Sequence, residues 1–224
     1  MLRVIRILCL SLAAILGGVW VFAWVTRAPG EGMGDAFLRR LAGFTGADMP
    51  APSSGGVQLP QGLTLGGPFT LTDQTGREVT ERDFAGRYLL VYFGFTYCPD
   101  VCPTELGTIA AAIDSMGAMG ERVTPVLITI DPERDTAAQL ADYVSRFHPR
   151  MVGLTGTAQQ IAQVARAYRV YYARVRPRDS SDYLMDHSSF TYLVGPDGRV
   201  RQLFRPEMPP EAMGQAVLAQ MRGA

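Results

Sequence analysis

The segment from Tyr92 to Leu106 reads "YFGFTYCPDVCPTEL". An apolar run ends, Cys98 and Cys102 follow with three residues between them, and Pro103 opens the next element. The usual redox pair has two residues between its sulfurs, so three uses stand open: electron exchange, metal binding and a stapled turn. The preceding "RYLLVYFGF" is a continuous apolar run of the kind found in a central buried strand. Pro103 suits the first turn of a helix, where its missing N–H costs nothing. The thiols are therefore expected at a strand-to-helix junction. Unpaired amides at a helix N-terminus favour negative charge, which raises the thiolate fraction that both nucleophilic attack and metal binding need. A spacing of four along one helical turn also puts both sulfurs on one face, close enough for a disulfide or a shared ion. A staple closing so short a loop removes little unfolded-state entropy, so it would contribute little stability.

Outward from this junction, strand and helix patterns alternate. "FTLTDQTGREVT" reads as a hairpin turning near Thr75-Gly76, "PTELGTIAAAIDSMGAM" as a helix and "VTPVLITI" as a second buried strand. "DPERDTAAQLADYVSRF" reads as a helix capped by Thr136 with Gln139 three residues on, and "AQQIAQVARAY" as another. "RVYYARVR" is read as a strand, "SSDYLMDHSS" as a loop, "FTYLV" and "VRQLF" as strands around the turn "GPDGR", and "PEAMGQAVLAQM" as the last helix. This order is that of a thioredoxin-like α/β fold, a central mixed sheet flanked by helices. A doubly wound dinucleotide fold is the alternative, but no G-x-G-x-x-G follows the first strand.

The chain has 224 residues, enough for one well-buried domain. Acidic and basic residues balance at 21 each, and no basic stripe argues for nucleic acid. All basic side chains are arginine, which excludes Schiff-base chemistry. The first 27 residues carry Arg3 and Arg6 ahead of an uncharged apolar run from Ile7 to Thr26, with Trp20 and Trp24 near its far end. That is the pattern of a membrane helix whose positive flank stays in the cytoplasm, and it exceeds a usual signal-peptide core. Cys9 within it reads as a spectator thiol. Residues 28–67 are rich in Gly, Pro, Ala and Ser and read as a tether, and residues 68–224 as the folded domain. A cysteine pair delivered outside the membrane tends to oxidise unless reductant or metal prevents it.

The sequence has two histidines, His148 and His187. His148, in "RFHPR", reads as a helix C-terminal or surface residue. His187, in "LMDHSSFTYLV", stands just before the strand expected to run beside the one that leads to the cysteines. Two thiolates and one imidazole make a three-ligand set; soft thiolates select Cu(I) or zinc, and a structural zinc would want a fourth ligand. Copper fits better. Asp100 and Asp186 are the candidates for an added oxygen contact around such a site.

The segments "YFGFTYCPDVCPTEL", "ITIDPERDT" and "DHSSFTYLVGPDG" occur here in the order and context of the Sco/SenC family, and the chain resembles that family over roughly Pro68 to Met221. The resemblance implies a thioredoxin-like, membrane-anchored factor of cytochrome c oxidase assembly that binds copper, Cu(I) or Cu(II), through Cys98, Cys102 and His187. It further implies delivery to the binuclear copper site of oxidase subunit II, an upstream periplasmic copper donor, and a place in the bacterial inner membrane with the folded domain in the periplasm. A mitochondrial inner-membrane setting is the less favoured equivalent. The alternative function uses the same cysteines as a thiol-disulfide oxidoreductase, Cys98 attacking and Cys102 resolving. A peroxidase reading of "FTYC" is disfavoured, because the threonine lies only two residues before the cysteine. Within "DPERDT", either Asp131 and Arg134 shape the rim of the site or Pro132 to Thr136 simply start the next helix; the helix start is the expected role.

Overall fold

The computed structural model describes residues 56–60, 62–176 and 182–223, together with positions 6, 10, 16–18, 20–22 and 24. The expected membrane helix over 1–27 and the first part of the expected tether, residues 28–55, lie almost wholly outside the described residues. Among the described residues no helix is long and apolar enough to cross a membrane.

The apolar run before the cysteines forms the strand at the heart of the sheet. In chain order the strands are β1 (Gly56–Gln58), β2 (Thr70–Asp73), β3 (Glu78–Thr80), β4 (Tyr88–Gly94), β5 (Val123–Thr129) and β6 (Val152–Thr155). They continue with β7 (Tyr172–Val175), β8 (Leu184–His187), β9 (Thr191–Val194) and β10 (Val200–Phe204). The helices are α1 (Val101–Ser115), α2 (Ala137–Ser145), α3 (Ala158–Tyr168) and α4 (Pro210–Arg222). Every residue of β4 and β5 is buried, as unbroken apolar runs covered on both faces require. The main sheet has the order β1-β10-β9-β4-β5-β6-β2-β3. The pairs β4–β5 and β5–β6 are parallel and the other neighbours antiparallel, which is the expected mixed thioredoxin-like sheet.

Local chemistry explains the boundaries. Thr136 and Gln139 form a reciprocal capping box at the start of α2, as their spacing predicts, and Thr157 with Gln160 repeats it at α3. The β2–β3 hairpin turns at Gly76, whose φ of 84° lies in the left-handed region that glycine adopts without strain.

Two elements differ from the sequence expectation. Gly56–Gln58, read as tether, pairs antiparallel with β10, and Leu65 is buried, so ordered structure begins before Pro68. The segment read as a loop contains β8, which pairs with β7 as a separate two-stranded sheet. His187 is therefore the last residue of a strand, opposite Tyr172. The hairpin is half exposed, so it lacks the apolar alternation that marks a strand in sequence.

Candidate metal centre

Cys98 and Cys102 sit at the strand-to-helix junction. β4 ends at Gly94, α1 begins at Val101, and Cys102 lies in its first turn. The Cys102 sulfur is fully buried and Cys98 is half-buried. The backbone N–H of Cys102 donates to the Cys98 sulfur at 3.4 Å, a helix-end amide aimed at the thiol as the junction predicts.

Gly94 makes room for this packing. A Cβ there would lie 2.8 Å from the Tyr92 ring and 3.0 Å from the Cys102 sulfur, so only glycine lets that sulfur nest under the strand end. Fully buried Tyr92 donates its hydroxyl toward the same sulfur at 3.9 Å. Nothing in the sequence pattern singles out Gly94 or Tyr92, because the role of each depends on which element packs above.

His187 reaches the pair from β8. Its Nε2 lies 3.6 Å from the Cys102 sulfur, and its Nδ1 lies 3.0 Å from the Ser188 carbonyl oxygen. A carbonyl only accepts, so Nδ1 carries a proton and Nε2 is the ring nitrogen turned toward the sulfur. The imidazole stands edge-on to Tyr92 and to Phe95, which fixes its plane. Ser188 extends the hairpin just past the histidine: its N–H donates to the Tyr171 carbonyl and its hydroxyl accepts from the Tyr171 N–H.

The two thiols are electrostatically unlike. The Cys102 thiol, hydrogen-bonded to Cys98, brings Cys98 down to about 4 against the opposing effect of burial, with His187 and the Asp100 and Cys102 amides adding to the fall. The same bond and burial push the Cys102 thiol up. One half-buried thiolate beside one buried thiol is the result.

Zinc-like bond lengths of about 2.3 Å to sulfur and 2.0 Å to imidazole nitrogen, at a trigonal angle, place the two donors about 3.7 Å apart. The observed 3.6 Å between Cys102 and His187 fits a shared soft ion. Among the described residues no three His, Cys, Asp or Glu side chains stand together as a ready-made metal cage. The fit rests on the Cys102–His187 spacing and on Cys98, which hydrogen-bonds with both.

The two aspartates expected around the site are not gathered there. Asp100 occupies the N-cap position of α1 but is exposed and makes no side-chain cap. Asp186 precedes His187 in β8, is exposed, and by the alternation of strand side chains faces the opposite way. His148 is 7% exposed, buried rather than on the surface; its Nδ1 accepts from the Arg150 N–H at 3.1 Å, far from this chemistry.

The SCO1/SenC family model matches residues 57–222. The human mitochondrial protein SCO1 homolog is 45% identical over 160 residues, covering 70% of this chain and 53% of that one. The crystal structure of Arabidopsis thaliana ScoI with copper bound matches with a TM-score of 0.68 and 43% identity, over 71% of this chain and 99% of that one. BsSco, described with a disulfide switch and as a member of the Sco family of cytochrome c oxidase assembly proteins, matches with a TM-score of 0.57 and 25% identity, over 74% of this chain and 96% of that one. The chain spans about half the length of the curated relatives it matches.

Proposed function

The chain belongs to the SCO1/SenC family, and on that premise we propose that it is a copper-binding assembly factor for the binuclear copper centre of cytochrome c oxidase subunit II. Cys98 Sγ, Cys102 Sγ and His187 Nε2 are its ligands. The observation that carries the reading is the His187 Nε2 held 3.6 Å from the Cys102 sulfur by the Nδ1 bond to Ser188. Two sulfurs and one nitrogen suit Cu(I), and a three-ligand set leaves an open side for ligand exchange with a donor or recipient. Copper is cargo in this scheme. The chain's part is to hold Cys98 as thiolate, to release the Cys102 proton on loading, and to keep the imidazole in the right tautomer.

The membrane setting belongs to the same proposal. Residues 1–27 anchor the chain in the bacterial inner membrane, with the folded domain in the periplasm, supplied by a periplasmic copper donor. Protease added to intact spheroplasts should cleave the folded domain; protection would contradict the topology.

The ligand set is tested by loading the full chain with Cu(I) under reducing conditions and recording the copper X-ray absorption edge. One copper per chain with two sulfur and one nitrogen neighbours is expected; an all-sulfur or oxygen-dominated environment overturns the assignment.

A second reading is favoured by the asymmetry of the thiols. The Cys98 thiolate attacks a partner disulfide, forming a mixed disulfide and expelling one partner thiolate. Cys102 then loses its proton and attacks Cys98, closing the Cys98–Cys102 disulfide and releasing the second partner thiol, so two electrons pass to the partner. This use does not need His187.

A further inference from the structure

The "DPERDT" segment from Asp131 to Thr136 is needed only in part to start α2. Thr136 caps that helix. The charged residues before it reach away from the helix, toward the two elements that carry the sulfurs and the imidazole.

Asp131 is fully buried, where an unpaired carboxylate is strongly unfavourable. It accepts from the Tyr183 hydroxyl at 2.8 Å and from Arg134 Nε at 2.5 Å. Arg134 also donates from a terminal nitrogen to the Tyr183 carbonyl at 3.0 Å, and its guanidinium lies 3.7 Å from the Tyr183 ring centre and 4.7 Å from that of Tyr97. Tyr97 immediately precedes Cys98, and Tyr183 immediately precedes β8. One planar cation is thus stacked between the cysteine loop and the hairpin that ends in His187. Glu133 pairs with Arg174 of β7, and Arg174 lies over the other aromatic partner, Tyr183, at 4.7 Å.

The other arm is Asp135, also fully buried. Its carboxylate accepts the Thr96 N–H at 3.0 Å, the Thr96 hydroxyl at 2.6 Å and the Thr129 hydroxyl at 2.6 Å. This ties the backbone two residues before Cys98 to the end of β5.

We infer that "DPERDT" is a two-armed clamp that sets the separation between the sulfurs and the imidazole: Asp131 and Arg134 hold the His187 hairpin, and Asp135 holds the cysteine loop. These are positioning residues, and their role in copper binding rests on the ligand set proposed above. The geometry favours this over a purely local role, because among the described residues β7 and β8 pair only with each other and gain nothing from the hydrogen bonds of the main sheet. A two-stranded ribbon is marginal by itself, so side-chain ties must hold it against the domain.

The test uses the full chain with Arg134→Gln, and with Tyr183→Leu as a second variant that spares the buried carboxylate's immediate loop. Without copper, amides of residues 184–188 should exchange at least about tenfold faster in either variant, while those of β4 and β5 keep their protection. Unchanged exchange at 184–188 overturns the clamp whatever copper does. With Cu(I), affinity by competition with a chromophoric chelator should fall about tenfold, the lower range for contacts that orient metal ligands. The same substitution placed in a His187→Ala background should then change affinity less than about twofold, since the clamp acts through that imidazole. An equal loss with and without His187 overturns the positioning role. If His187→Ala binds Cu(I) as tightly as wild type, the ligand set is what fails, and amide exchange still decides the clamp.

Discussion

His187 and Cys102, separated by 85 positions in the chain, meet with Nε2 3.6 Å from the sulfur. The contact exists because β9, which follows His187, pairs antiparallel with β4, which leads to the cysteines. A histidine read off a loop thus becomes a neighbour of a thiol on the far side of the sheet register. The proposed metal site depends on this meeting.

Cys98 should behave as a thiolate through the whole neutral range. In the copper-free reduced chain, its alkylation by iodoacetamide should keep a constant rate from about pH 8 down to about pH 5 and fall as the pH drops through about 4. Cys102→Ala removes the largest cause of that depression, the hydrogen bond from the second thiol, so the inflection should move upward. An inflection already near 9, the ordinary value, in the unsubstituted chain would contradict the thiol asymmetry.

Gly94→Ala should damage fold and site together. The added Cβ meets the Tyr92 ring at 2.8 Å and the Cys102 sulfur at 3.0 Å, and both neighbours are fully buried. Overpacking of this kind costs about 1–3 kcal/mol, to be read from urea unfolding, and copper affinity should fall because the sulfur must shift. Unchanged stability would mean that the strand end yields freely.

Thr136→Ala separates the two roles of "DPERDT". Losing the reciprocal cap at α2 should cost about 1 kcal/mol in chemical denaturation. Copper affinity should stay within twofold of the unsubstituted chain, because Thr136 is not among the residues that reach the hairpin or the cysteine loop. A large affinity loss would show that α2 itself, and not the clamp, orients the ligands.

His148 gives the fold a pH dependence separate from the metal site. Burial, helped by Arg150 and opposed by Asp114, lowers its pKa below 6.5. The folded state therefore binds this proton less readily than the unfolded chain, so the stability contribution is full above about pH 6.5 and is lost as the pH falls from there toward the lowered value. One such group gives a slope of at most about 1.4 kcal/mol per pH unit. Denaturation midpoints of the copper-free chain should drop as the pH falls below about 6.5, and His148→Gln should flatten that drop. An equal drop in the variant would assign the effect to other groups.

Much of the fold was legible because its signals are local. The unbroken apolar runs of β4 and β5, the Thr136–Gln139 box and the glycine turn at Gly76 each follow from neighbouring residues. The cysteines and His187 were legible as residue types of matching chemistry. What escaped depends on distant partners. β1 looks like tether until β10 offers its edge, and β8 looks like loop because its half-exposed residues pair with β7 outside the main sheet. Asp131, Arg134 and Asp135 read as a helix start because nothing in sequence order says that Tyr183, Tyr97 and Thr96 surround them. Asp186 read as a site residue from adjacency alone, and strand alternation turns it away.

The copper assignment is tested most directly by Cu(I) affinity of the full chain, measured by chelator competition under reducing conditions, for the unsubstituted protein and for Cys98→Ala, Cys102→Ala and His187→Ala. One tightly held Cu(I) per chain is expected in the first, with each replacement weakening it by at least about tenfold. A His187→Ala chain that holds one Cu(I) as tightly as the unsubstituted protein would contradict the three-ligand site.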